Sequence, residues 1–275
     1  MTILVTGATG YTGREIVRLL GDRDVPFRAA SRTTGFDWTE PGTFESALDG
    51  VRAVYLLPPP GVRGRLPLLA PFLAAAREAG VRRLVPLSTS VEDVPGQAEF
   101  HQAVLDAAPE YAILRPSWFM QNFIGAHPSA RGIRERGEIV SSTGEGRLGF
   151  VHTDDIAAVA VEALLAEQPP NRDYLITGPE ALSYRDIAKL VDEVAGYPVR
   201  FVPLGPDEGR ARWEAAGMPP EVASYAVDLD QRIAAGLEDR VSSTVADLTG
   251  RPARSFREFA RAHRNHWQHR EGSPS

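Results

Sequence analysis

Residues 3–13 read Ile3-Leu4-Val5-Thr6-Gly7-Ala8-Thr9-Gly10-Tyr11-Thr12-Gly13, and the reading of this stretch decides the fold. Ile3 to Thr6 is an aliphatic run of strand length, while Arg14 to Leu20 carries Ile16, Val17, Leu19 and Leu20 on one helical side. Between them the first glycine permits a tight turn, and the middle one lets backbone approach a diphosphate. The third lets the helix pack close to the strand, so that the first helical turn offers free N–H groups to an anion. A glycine turn serving packing alone accounts for one glycine better than for three. The strand–turn–helix context therefore predicts a dinucleotide site at Gly7, Thr9, Gly10, Tyr11, Thr12 and Gly13.

Working outward, short apolar runs alternate with helical patterns, the mark of βαβ winding and a parallel sheet. Strands are expected at Phe27–Ala30, around Phe36–Trp38, at Ala53–Leu57 (stopped by Pro58-Pro59-Pro60), Leu84–Leu87 and Tyr111–Leu114. Helices are expected over Thr43–Leu48, Leu66–Ala76 with Gly80 as terminal glycine, and Glu99–Ala107. Beyond Pro116 the alternation loosens. Asp154–Ala166 reads as a helix and Tyr174–Thr177 as a strand; Ser183 and Pro219-Pro220 open two further helices, and Ser255 with Glu258 forms a capping box before a helix ending near Trp267. The fold class is α/β: a Rossmann-like doubly wound parallel sheet with a smaller C-terminal α/β substrate subdomain. A coarse division gives a nucleotide-binding domain over 1–150, with a return strand near 174–177, and a mainly substrate-binding region over 151–275, packed as one globular unit. Substrate loops are expected from roughly 116–150 and 180–275.

The second strand selects the dinucleotide. NAD-selective folds place Asp or Glu about 20 residues past the glycines, for the ribose 2′-hydroxyl. This chain has Ala29-Ala30-Ser31-Arg32-Thr33-Thr34 there. Arg32 offers a guanidinium that takes a 2′-phosphate bidentately, and Ser31 and Thr33 add hydroxyls, which favours NADPH. A solvent-exposed loop arginine is the alternative. Asp37 either accepts from the adenine amino group or caps the following turn.

Composition excludes several classes. The 275 residues include no cysteine, which removes disulfides, thiolate nucleophiles, Cys-ligated zinc and iron–sulfur clusters, and fits a reducing, cytoplasmic setting. Lys and Arg number 30 against 36 acidic residues, a net charge of −6. The basic stretches Arg77–Arg83 and Arg251–Arg270 are broken by acids and apolar residues, so they read as solvated helix faces and turns rather than a nucleic-acid footprint. No run approaches about 18 uncharged apolar residues, so no membrane span is expected, and the start has no signal-peptide pattern. The polar tail Arg270–Ser275 is expected to fray. The expected partner is a small-molecule substrate, with the chain a monomer or homodimer.

The glycine turn, Phe36-Asp37-Trp38-Thr39, Leu56-Leu57-Pro58-Pro59, Thr249-Gly250-Arg251-Pro252 and Leu114-Arg115-Pro116-Ser117-Trp118-Phe119-Met120-Gln121-Asn122-Phe123 together resemble the NmrA-like branch of atypical short-chain dehydrogenases. Within it, the pattern is most like the ergot-alkaloid-type (festuclavine synthase-like) NADPH reductases. The Arg-Pro-x-x-Phe-Met-x-Asn block is the more specific part. The resemblance implies NADP(H) in an extended groove, with Leu57 and Pro58 flanking the adenosine side. It implies Ser88 and Ser90 near the nicotinamide ribose and Pro116 to Phe119, including Trp118, against the nicotinamide. The family holds both reductases and redox-sensing regulators that bind dinucleotide without turnover.

Ordinary short-chain dehydrogenases use a Tyr-x-x-x-Lys pair, the lysine lowering the tyrosine pKa. Lys189 is the only lysine here, residue 185 is arginine, and Tyr184 stands five before it. Gln97–Gln102 contributes only Glu99 and His101. His101 is the nearest candidate catalytic proton donor, beside the plainer reading of a helix-surface histidine. Hydride transfer needs only positioning against an electrophile, so the missing acid points to a small apolar acceptor of iminium, quinone or enone type. An NADP(H)-binding regulator without turnover is the alternative, and an isomerase or lyase keeping its cofactor a third. No metal site is expected: His127 and His152 read as structural, and His263, His266 and His269 lack supporting carboxylates. Asp154-Asp155 read as helix caps. Trp118, Phe119, Met120, Phe123, Trp213, Met218 and Tyr225 divide between subdomain core and the wall of an aromatic pocket.

Overall fold

In the computed structural model, which describes residues 1–58 and 65–267, strand β1 (Thr2–Thr6) runs into helix α1 (Tyr11–Asp22) and strand β2 (Phe27–Ala30). There follow α2 (Phe44–Leu48), β3 (Val51–Leu56), α3 (Arg65–Glu78), β4 (Arg83–Pro86), α4 (Gln97–Ala107) and β5 (Glu110–Pro116). Next come α5 (Pro128–Arg136), β6 (Glu138–Ser141), β7 (Arg147–Leu148), α6 (Thr153–Leu165), β8 (Arg172–Ile176), β9 (Leu182–Ser183) and α7 (Tyr184–Ala195). The remaining elements are β10 (Arg200–Pro203), α8 (Pro206–Ala215), α9 (Pro220–Ala234), α10 (Thr244–Thr249) and α11 (Phe256–Ala262). The Pro59-Pro60 strand stop, His269 and the Arg270–Ser275 tail lie outside the described residues.

The chain divides into two units. The first holds Met1–Pro116, Thr153–Ile176 and Thr244–Arg251; the second holds Ser117–His152, Thr177–Ser243 and the segment from Pro252. The division departs from a single cut near 150, because α6 and β8 return to the sheet after the first excursion.

The first unit is built on six parallel strands in the order β2-β1-β3-β4-β5-β8. Their near-continuous apolar sequence follows from burial on both faces: β4 is buried throughout and β3 is exposed only at Arg52. β1 lies between β2 and β3, so the winding reverses there and a crevice opens beyond its carboxyl end. Three local readings change in this unit. Phe36–Trp38 forms no strand; Phe36 is buried in a cluster with Trp38, Phe44 and Phe72, ring centroids 4.9–6.3 Å apart. Such ring pairs add about 0.5–1.5 kcal/mol each beyond burial, more than a three-residue edge strand offers. Arg83 is no solvated residue. It is buried, paired with Glu110 at 2.8 Å, and donates to the carbonyls of Ala163, Leu164 and Ala166 at the end of α6, where the last helical turn leaves acceptors unsatisfied. Asp155, fully buried near the start of α6, pairs with Arg251 Nη1 at 3.4 Å, so this acid ties two segments of the unit together.

The second unit carries two small sheets, β10-β6 parallel and β7-β9 antiparallel. Its core gathers Phe123, Phe150, Phe256, Phe259 and Trp267, and Trp267 Nε1 donates to the Phe123 carbonyl at 2.7 Å. The Ser255–Glu258 capping box forms before α11 as its spacing predicts, and the expected cap Ser183 closes a further reciprocal box with Asp186 before α7. The closing helix is shorter than expected. It stops at Ala262, and a 3₁₀ turn over Arg264–His266 delivers Trp267 into the core. No helix among the described residues is long and apolar enough to cross a membrane.

Candidate functional site

β1 delivers the glycine turn. Thr6 is fully buried; its Oγ1 donates to the Tyr55 carbonyl at 3.0 Å and accepts from Leu57 N at 2.7 Å. These bonds hold the ends of β1 and β3 level. Gly7 has φ +63°, and a Cβ there would stand 2.3 Å from Leu57 Cδ2. Gly13 is more restrictive, because a Cβ would lie 2.2 Å from the Gly7 carbonyl oxygen. Only glycine lets α1 seat this close to the strand end. Gly10 N donates to Gly7 O at 2.9 Å, closing the turn. No side chain caps α1 and no acid occupies its first turn, so the amides at its start keep the positive end of the helix for an incoming anion. Thr9 and Tyr11 are exposed, and Arg14 lies over the Tyr11 ring. Thr12 is buried, its Oγ1 sharing a 2.8 Å hydrogen bond with the Tyr55 hydroxyl. This cradle fits a dinucleotide diphosphate.

Beyond β2 the chain enters a 3₁₀ turn over Arg32–Thr34, closed by a reciprocal Ser31–Thr34 box. Ser31 Oγ also bonds Thr33 Oγ1 at 2.8 Å, so the three hydroxyls are locally ordered. Arg32 is exposed and makes no ion pair among the described residues. Asp37 follows the turn-capping alternative: Oδ1 accepts from Thr39 N and Oγ1, both at 2.8 Å. Those bonds, helped by the Arg32 charge, hold its carboxyl below the usual value. Leu57 is half-buried over the turn and Pro58 is buried.

At the end of β4, Ser88 N donates to Leu114 O and Ser90 N to Pro116 O, so the strand ends stay in step past the regular pairing. Ser88 Oγ lies 2.8 Å from His101 Nε2 and accepts from Gln97 Nε2 at 3.2 Å. His101 is therefore a half-buried partner of Ser88, not a helix-surface residue. Burial lowers its pKa below the ordinary imidazole value, opposed by Asp173 and reinforced by Arg115. Gln97, an amide with no titratable group, leaves no signal of this role in the sequence; folding alone brings it to Ser88 and the Thr89 carbonyl.

Pro116 ends β5, and Trp118 and Phe119 begin the second unit, where Val151 N donates to Trp118 O at 2.8 Å. Met120 and Phe123 are core. Trp118 and Trp213 line a cavity of about 210 Å³ within the second unit, with Tyr184 and Asp230, whereas Phe119, Met218 and Tyr225 do not. Tyr184 and Lys189 share no dyad: the lysine is 69% exposed and pairs with Asp186. His127 caps α5, its Nδ1 accepting from Ser129 N, and His152 bonds Gln121. No cluster of three potential metal ligands occurs among the described residues.

No family model matches the chain. Over 96% of its length and 96% of the relative, it is 40% identical to the uncharacterized oxidoreductase YesF of Bacillus subtilis. It is 34% identical to agroclavine dehydrogenase of Claviceps fusiformis, covering 98% of this chain and 100% of that one. Its fold is similar to that of the NADPH-dependent quinone oxidoreductase QOR2 of Escherichia coli, solved with NADPH, with a TM-score of 0.78 at 22% identity over 94% of this chain and 98% of that one.

Proposed function

The chain belongs to the NmrA-like family of atypical short-chain dehydrogenase/reductases, and from that premise we propose that it is an NADPH-dependent reductase acting on a small apolar electrophile of iminium, quinone or enone type. The observation that carries the reading is Gly13, where the 2.2 Å approach of any Cβ to Gly7 O reserves the close seat of an uncapped, acid-free helix start. The amides of Gly7 to Gly13 would hold a diphosphate, with Arg32, Ser31 and Thr33 taking the ribose 2′-phosphate. Leu57 and Pro58 would flank the adenosine, and Ser88 and Ser90 the nicotinamide ribose. Bound NADPH would supply the hydride.

The acceptor class follows from what the side chains offer. Tyr184 and Lys189 supply no tyrosine acid, and His101, with its pKa below the ordinary value, is mostly neutral near pH 7. The Ser88–His101–Gln97 group can therefore orient an oxygen or nitrogen but is a poor reservoir of protons. Reduction of an iminium carbon yields a neutral amine and needs no proton, so it asks least of these residues; quinones and enones would draw theirs from water.

NADPH consumption followed by absorbance against cyclic iminium salts, quinones and enones tests the reading. Turnover of any of these classes supports it, with iminium salts expected first. Tight NADPH binding with every acceptor left untouched supports a cofactor-sensing regulator. Failure of both NADPH and NADH to bind the folded protein would sink the oxidoreductase reading.

A further inference from the structure

The cavity in the second unit contains a carboxylate without a cation. Asp230, on α9, lines it and accepts two hydrogen bonds from Ser142, from N at 3.3 Å and Oγ at 2.6 Å, both to Oδ2. Oδ1 has no partner among the described residues. Burial raises the Asp230 pKa, and Ser142's hydrogen bonds are the only counterweight; no positive side chain contributes. A partly desolvated carboxylate satisfied by neutral donors alone is an incomplete arrangement.

The other charged and titratable groups on the cavity wall do not complete it. Glu138 is already engaged by Arg200 at 2.8 Å and Arg136 at 3.5 Å. His127 has its pKa lowered by burial, opposed by its hydrogen bond to the Asn122 backbone, so its surroundings disfavour the charged form. Arg212 is exposed and forms no ion pair with Asp230. Three aromatic residues line the same space. Trp118 and Tyr184 pack on the core, and the Tyr184 ring meets Phe123 at a tilt and Phe150 edge-on, with centroids 5.9 and 5.5 Å apart. Burial first, then the Asp230 charge, pushes the Tyr184 pKa up, so phenol and carboxylate share one environment. Trp213 comes from α8. Aromatic faces attract cations by about 0.5–2 kcal/mol according to desolvation. The volume, below the roughly 300–1,000 Å³ of drug-sized sites, selects a small ligand.

We propose that this cavity binds a small, flat organic cation, a protonated or quaternary aromatic amine, with its charge against Asp230 and its body among Trp118, Tyr184 and Trp213. The site is defined by the second unit alone and does not depend on hydride transfer.

The test titrates the full-length protein, without dinucleotide, with three probes of one shape: 1-methylquinolinium (cationic), quinoline (neutral near pH 7) and quinoline-2-carboxylate (anionic). Tryptophan fluorescence and calorimetry read binding. The cation is expected to bind at least about tenfold tighter than quinoline, and the anion weakest. Asp230→Asn is expected to erase the preference for the cation while quinoline binding persists. If that variant fails to fold, Trp213→Leu decides, by weakening the cation and quinoline together. Equal affinity for cation and neutral probe, tightest binding of the carboxylate, or an unchanged cation preference in Asp230→Asn overturns the proposal, as does Trp213→Leu leaving both affinities intact. Because no turnover is measured, failure of the reductase reading leaves this result standing, and the converse also holds.

Discussion

The hydroxyl of Tyr55, buried in β3, lies 2.8 Å from Thr12 Oγ1 in the first turn of α1. The residues are 43 apart in sequence, and each is the other's buried partner. With Thr6 bonded to the Tyr55 carbonyl and to Leu57 N, the bond secures the helix start to a neighbouring strand. Tyr55→Phe should therefore destabilise the protein by about 1–3 kcal/mol, the cost of an unsatisfied buried hydroxyl, and weaken NADPH binding with it. Urea unfolding and calorimetry measure the two losses. An unchanged stability would mean that Thr12 finds another partner.

Arg32→Ala should separate the two dinucleotides. Loss of charge-assisted bonds to a 2′-phosphate is expected to cost NADPH about 1.5–3 kcal/mol, while NADH, which has no such group, changes little. Dissociation constants for both cofactors check this. A parallel loss would show that Arg32 does not read the phosphate.

Gly13→Ala places a methyl group 2.2 Å from a backbone oxygen, which no side-chain rotation relieves. Overpacking of this kind costs about 1–3 kcal/mol, and the helix start must move away from the strand end. The expected result is a lowered melting temperature with loss of binding of NADPH and NADH alike, in contrast to the selective effect at Arg32.

Stability should fall on the acid side of neutrality. Burial holds the His101 and His127 pKa values below the ordinary imidazole value of 6.5, so between folded and unfolded values the unfolded chain binds more protons. Stability then rises with pH across that window and is lost as pH drops from about the unfolded value downward. His101→Gln, which retains a hydrogen-bonding group near Ser88, should flatten part of the slope in unfolding free energy measured against pH. A slope identical to that of the parent chain would assign the effect elsewhere.

Much of the first unit was legible because its signals are local. The strand–turn–helix at Thr6 to Gly13, the second strand ending at Ala30 and the Ser183 and Ser255 caps depend on residues a few positions apart, where backbone stereochemistry and short hydrogen bonds leave few alternatives. Phe36–Trp38 carries strand propensity in its two aromatic residues yet forms no strand; the partners Phe44 and Phe72 that bury Phe36 lie outside any local window.

By itself, then, the amino-acid order determined the crossover, its glycines, and the absence of an acid where an NAD-selective strand would carry one. Folding decided which distant groups meet: Tyr55 with Thr12, His101 with Ser88 and Gln97, and Asp230 with Ser142 across 88 positions. The reason is one of range. A turn or cap is selected by torsions and contacts within one or two helical turns, whereas a buried hydroxyl or carboxylate takes whichever partner the packed chain brings within about 3 Å, and linear spacing carries no trace of that choice.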